Sequence, residues 1–185
     1  MPQRNVAVVV GSLRKGSFNR KMALALAAMA PADLKLGIVE IRDLPLYDED
    51  LEREGPPQPW IGFRDQVRAT DAVLFVTPEY NRSVPGGLKN AIDVGSRPYG
   101  QSVWSGKPAA IVSVSPGAIG GFGANHHLRQ SLVFLDMPTL QQPEAYVGGA
   151  ASLFAEDGSI ANERTAKFLT GLLTAFAVMI EKVVG

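Results

Sequence analysis

At 185 residues, with 46% apolar and 19% charged residues, the chain has the size and composition of one folded domain with a substantial core, outside the disordered class. Lys plus Arg and Asp plus Glu each number 18, so there is no basic surplus for a nucleic-acid backbone and no acidic surplus for long-range steering of protein partners. The absence of cysteine removes disulfides, thiolate metal sites, cysteine nucleophiles and cysteine-ligated iron–sulfur clusters, and leaves redox chemistry to an organic cofactor or a metal without thiolate ligands.

Met1 to Val10 leads into a strand pattern rather than a signal-peptide core, and no apolar run is long enough to span a bilayer. The expectation is a cytoplasmic protein with no membrane partner, folding alone or as a homo-oligomer. Val6 to Val10 is an unbroken β-branched run ending at Gly11, the pattern of a strand covered on both faces. Ser17 to Met29 turns helical, with Met22, Leu26 and Met29 at helical spacing, Ser17 as N-cap and Pro31 as the stop.

The alternation then repeats. Leu36 to Ile41 reads as a second strand, Ile61 to Arg68 as a helix and Ala72 to Thr77 as a strongly apolar third strand. Leu88 to Val94 suits a helix, Ala109 to Ser115 a fourth strand, Leu128 to Leu135 a helix, and Pro138 to Gln141 a weaker fifth strand. From Asn162, residues Phe168, Leu169, Leu172, Leu173, Phe176, Ile180 and Val183 keep one apolar face of a final helix. Pro45 to Pro59, rich in proline and acids, reads as a long solvated loop.

Five strands alternating with five helices imply an α/β fold: a five-stranded parallel sheet between two helical layers, since parallel neighbours need right-handed crossovers. The flavodoxin-like order 2-1-3-4-5 is expected, with residues 1–185 as one domain and ligands at the carboxyl ends of strands one, three and four.

The segment Gly11-Ser12-Leu13-Arg14-Lys15-Gly16-Ser17-Phe18-Asn19 runs from the first strand into a helix whose free amides face an incoming anion. Ser12, Ser17 and Asn19 add neutral donors, and Arg14 offers a planar fork for two phosphate oxygens. The two glycines have P-loop spacing, but Ser17 stands where a P-loop has its lysine, so a triphosphate is disfavoured. The dinucleotide fingerprint fails too, because its second glycine falls at Leu13. A terminal monophosphate remains. The bland alternative is a tight turn in which Ser17 only caps a helix.

After the third strand comes Thr77-Pro78-Glu79-Tyr80-Asn81-Arg82-Ser83-Val84-Pro85-Gly86-Gly87, whose prolines hold the chain extended and leave other amides facing outward, as a planar polar heterocycle requires. Together these two segments, with Leu88 to Asp93, Ser96-Arg97-Pro98, Ser115-Pro116-Gly117 and His127 to Gln130, resemble the NAD(P)H-dependent FMN reductase family, in particular its bacterial quinone, chromate and azo-dye reductase branch. The resemblance covers roughly residues 5–150.

It implies bound FMN, NADH or NADPH as co-substrate, small electron acceptors such as quinones, chromate, azo compounds or free flavin, and a homodimer or homotetramer. It implies that Ser12, Arg14, Ser17 and Asn19 hold the FMN phosphate, that Pro78, Glu79, Tyr80 and Asn81 line the ribityl chain and ring, and that Ser115 and Gly117 close the site. The flavin carries the chemistry, so no catalytic side chain is implied. Val94, where family members often carry tryptophan, and Gly123 to His126 depart from the family pattern.

Other candidates have simpler readings. His126 and His127 are adjacent, so on a helix they point apart and suit no shared metal. Trp60, Trp104 and Tyr99 suit packing better than a flavin shelter, Tyr80 could be a half-buried packing residue, and the Glu79 side chain could be an idle surface carboxylate. No Gly-x-Ser-x-Gly elbow supports hydrolysis. The rival functions are a flavodoxin-type electron carrier, and a non-enzymatic module binding a phosphorylated ligand.

Overall fold

The computed structural model of the chain describes residues 2–185. Five strands, β1 (Arg4–Val10), β2 (Leu34–Val39), β3 (Ala72–Thr77), β4 (Ala109–Val114) and β5 (Ala145–Val147), form one sheet in the order β2-β1-β3-β4-β5. All pairings are parallel, with Val8 of β1 between Ile38 and Leu74. The helices are α1 (Phe18–Ala28), α2 (Glu49–Glu54), α3 (Gln58–Arg68), α4 (Gly86–Gly95), α5 (Phe122–Phe134) and α6 (Glu163–Val184).

Alternation along β1 divides the core. Val6, Val8 and Val10 pack with Met22 and Leu26 of α1 and Leu172 and Phe176 of α6, while Ala7 and Val9 face Trp60, Phe63, Leu88, Trp104 and Leu128 on the other side. Every residue of β3 and β4 is buried, as continuous apolar runs in a doubly covered sheet must be. Ser17 caps α1 by accepting the Arg20 amide at 3.2 Å, and Asn162 caps α6 by accepting the Thr165 amide at 3.0 Å.

The expected fifth strand at Pro138 to Gln141 is corrected. There the chain makes only a single bridge, Ala109 with Thr139, then loops out through Gln142 and Pro143 and rejoins β4 at Ala145. Pro143 has no amide to give to the ladder, so pairing resumes beyond it. The expected loop from Pro45 to Pro59 contains α2, capped by Asp48 accepting the Asp50 amide at 2.8 Å, and the first turn of α3, where Pro59 sits at a position that tolerates proline. The α-helices therefore number six among the described residues.

At the amino end of the sheet, Arg4 Nε donates to Glu181 Oε1 at 2.7 Å, joining the first strand to the last helix. That bond holds the Glu181 carboxyl below its usual range, against the opposing effect of burial.

Candidate cofactor site

The carboxyl ends of β1, β3 and β4 converge through backbone packing. The Gly11 amide donates to Val76 O at 2.8 Å, and a Cβ on Gly11 would stand 2.9 Å from Thr77 Oγ1, so only glycine lets the two loops approach this closely. Asn19 on α1 reaches across to β4, where its Nδ2 donates to Val114 O at 3.3 Å.

Between these loops lies a cleft of about 280 Å³. Ser12, Arg14, Asn19, Pro78, Glu79, Tyr80 and Ser115 line it, so the structure brings together residues from three separated segments of the chain. Phe18, Val114 and Pro116 also line it and were missed by sequence reasoning. Phe18 had a signal, an aromatic between Ser17 and Asn19 at the helix start, and the Arg14 guanidinium carbon lies 5.8 Å from its ring centroid.

Three expected residues do not line this cleft. Ser17 is 2% exposed, with its oxygen accepting the α1 cap bond. Asn81 is exposed at the tip of a turn, and Gly117 directs its amide at Ser115 Oγ, 3.2 Å away.

The donor inventory differs along the cleft. Arg14 donates one N–H to Gly16 O at 3.0 Å and stays exposed, leaving further guanidinium donors for an anion. Asn19 is 4% exposed, and with Nδ2 committed to the Val114 carbonyl its Oδ1 is buried without a partner. A flipped amide would set Oδ1 against that carbonyl, so the assignment follows from the partner. The orphan is an acceptor, which suits a ligand hydroxyl and not a phosphate oxygen. A ligand joining a phosphate to a polyhydroxyl chain fits both groups, and FMN has that constitution.

The loop after β3 is fixed by α5. Tyr80 and Ser83 exchange both backbone hydrogen bonds, at 3.1 and 3.0 Å, around Asn81 (φ 51°) and Arg82 (φ 63°), a two-residue turn with both central residues left-handed. The Tyr80 amide is thereby spent within the turn, and its half-exposed ring is what it offers the cleft. Glu79 is no idle carboxylate: its Oε2 accepts the Ala124 amide at 3.0 Å, and its Oε1 lies 3.7 Å from Arg82 Nη1. Ser83 Oγ is 2.7 Å from His127 Nδ1.

The two histidines diverge. His126 Nε2 is 2.8 Å from the Tyr146 hydroxyl, and burial, with the Glu144 carboxylate second, pushes that phenol up to about 12. Trp60 and Trp104 are fully buried away from the cleft, donating to Pro45 O and Ile92 O, and Tyr99 is exposed. Among the described residues no helix is long and apolar enough to cross a membrane.

Comparison with known proteins gives a consistent picture. The family described as NADPH-dependent FMN reductase matches residues 4–152. A quinone reductase of Pseudomonas putida is 69% identical over 177 residues, covering 96% of this chain and 95% of that protein. The quinone reductase of Escherichia coli is 45% identical over 182 residues, covering 96% of each. Among solved structures, FerB, a flavoenzyme NAD(P)H:(acceptor) oxidoreductase from Paracoccus denitrificans, superposes with a TM-score of 0.92 at 46% identity, covering 97% of this chain and 98% of FerB. A flavodoxin from Pseudomonas aeruginosa shares the fold, with a TM-score of 0.59 at 16% identity.

Proposed function

Because this chain belongs to the NADPH-dependent FMN reductase family, we propose that it is an NAD(P)H-dependent, FMN-containing oxidoreductase that reduces quinones. One observation carries the reading beyond family membership: the phosphate loop and Asn19, whose buried Oδ1 has no partner, line one cleft. FMN, when bound, supplies hydride acceptance from the nicotinamide and electron delivery to the acceptor.

The chain's own residues bind and orient. Arg14, Ser12 and the amides at the start of α1 hold the phosphate, and Ser17 fixes that helix start as its cap. Asn19 Oδ1 takes a hydroxyl of the ribityl chain. Pro78, Glu79 and Tyr80 wall the ring on one side, and Ser115 on the other. Their task is to hold the reacting partners in register and keep one side of the cleft dry. No side chain is assigned a covalent or acid–base step, and the two substrates use the cleft in turn, giving ping-pong kinetics.

The same chemistry extends to chromate, azo compounds and free flavin as acceptors. We place the enzyme in the cytoplasm, with residues 1–185 as one FMN-binding domain. The assembly is a homodimer or homotetramer, supported by the exposure of Val133 and Phe134, at 74% and 87%, on the outer side of α5. Light scattering tests the assembly.

The function is tested by loading the protein with FMN and adding NADH or NADPH without oxygen. The yellow absorbance bleaches and returns on addition of a quinone. An electron carrier, or a phosphate-binding module without redox activity, shows no bleaching with either nucleotide, and that outcome would end the reductase reading.

A further inference from the structure

A second cleft, of about 400 Å³, lies across the phosphate loop from the first, where the carboxyl ends of β1 and β2 meet. The two share Ser12 and Arg14 as a common wall. This cleft lies beside the β1/β3 switch point where a sheet of this order takes its mononucleotide, and in the different dinucleotide-binding sheets the end of the second strand is where the adenosine ribose is read. In such sheets a free acid there accepts a ribose hydroxyl and excludes a 2′-phosphate, whereas an arginine admits the phosphate.

Here the acid is not free. Glu40 directly follows β2, and its Oε1 is bonded to Arg20 Nη2 at 2.7 Å. Two residues on, Arg42 donates one guanidinium N–H to the Leu13 carbonyl, which holds its side chain against the phosphate loop with its other donors unspent. Lys15 stands on the same cleft. Neither Arg42 nor Lys15 has a carboxylate partner within ion-pair distance among the described residues, although Asp43 and Glu40 line the same cleft. The cleft therefore presents two uncommitted cations, one a planar fork suited to a phosphomonoester.

We propose that this cleft binds the 2′-phosphate of NADPH through Arg42 and Lys15. The assignment rests on the reductase reading. The nicotinamide enters the first cleft, and the adenosine half crosses the phosphate loop. Arg14, on the shared wall, stands between the FMN phosphate and the ribose phosphate and reduces their mutual repulsion.

The test uses the FMN-loaded protein. Calorimetry should show adenosine 2′,5′-bisphosphate binding about tenfold more tightly than adenosine 5′-monophosphate, and Arg42→Ala should abolish that difference. In steady state Arg42→Ala should raise KM for NADPH about tenfold and leave kcat and KM for NADH unchanged. Because Arg42 also contacts Leu13, Lys15→Glu serves as a second variant that leaves that contact intact, and it should likewise penalise NADPH alone. Equal binding of the two adenosine nucleotides, or equal effects on NADH and NADPH in Lys15→Glu, overturns the proposal. Those results leave the reductase reading standing as long as the unmodified protein is bleached by NADH.

Discussion

The Glu79 carboxylate accepts the Ala124 amide at 3.0 Å, so a side chain from the loop after β3 closes the first turn of a helix that begins more than forty residues later. Gly121, the N-cap residue of α5, provides no side-chain cap of its own. Glu79→Ala should therefore lower stability by about 1 kcal/mol, the usual effect of losing a cap. It should also weaken FMN binding, because the same residue walls the cleft. Glu79→Gln retains an acceptor oxygen and should fall between the two. Urea midpoints and FMN fluorescence titrations measure both effects, and an unchanged midpoint in Glu79→Ala would show that the carboxylate is not the cap.

Arg14→Ala should weaken FMN retention by about 1.5–3 kcal/mol, the range for hydrogen bonds to a charged group. The loss should shrink as salt is added, since Arg14 is exposed. Titration of apoprotein with FMN at two ionic strengths measures it. Unchanged affinity would place the phosphate elsewhere.

Ser83 and His127 should behave as one unit. Their 2.7 Å contact pins the far leg of the turn that carries Tyr80, so Ser83→Ala and His127→Ala should each weaken FMN binding, and the double variant should lose no more than the larger single loss. His127→Asn, which sets a polar atom near the Nδ1 position, should restore most of it. Strictly additive losses would separate the two residues.

The Arg64 guanidinium, with a side chain only 6% exposed, donates to both oxygens of Glu52 at 3.0 and 2.5 Å and through Nε to Val94 O at 2.9 Å. Glu52→Ala leaves that charge buried with no carboxylate and only the Val94 carbonyl as partner, at a cost of about 3 kcal/mol. Replacing both residues, as Glu52→Leu with Arg64→Met, should recover most of the loss, which denaturant unfolding can check.

Tyr146 sets a high-pH limit. Its phenol is raised from 10.0 to about 12 by burial first and by Glu144 second, so the folded chain keeps this proton where the unfolded chain gives it up. The associated stability is intact below about 10 and is lost as pH rises from about 10 to about 12. Of the four tyrosines, one should ionise late in a phenolate absorbance titration, and Glu144→Gln should bring it earlier.

What could be read from the chain depended on whether the determinants were local. β1, β3 and β4 are apolar because both faces are covered, and the phosphate loop follows β1 without a gap, so both were legible. α5 begins six residues earlier than its apolar pattern, because Phe122 to His127 carry little apolar periodicity and the bond that closes their first turn arrives from Glu79. α2 looked like a solvated acidic stretch because its anchor, Arg64, lies on another helix. β5 was displaced because only Thr139 of the expected strand meets β4 before Pro143. In the cleft the residue types were legible. The Asn19 orientation was not, since it is decided by the Val114 carbonyl, 95 positions away.

The bond between Arg4 and Glu181 lies at the amino end of the sheet, while both clefts open at the carboxyl end. The start of β1 and the last turns of α6 are thus neighbours on the face turned away from the ligands. A surface anchor attached beside Arg4 or Glu181 would leave both clefts clear, and an electrode or bead could hold the protein by its foot with its working face toward solution.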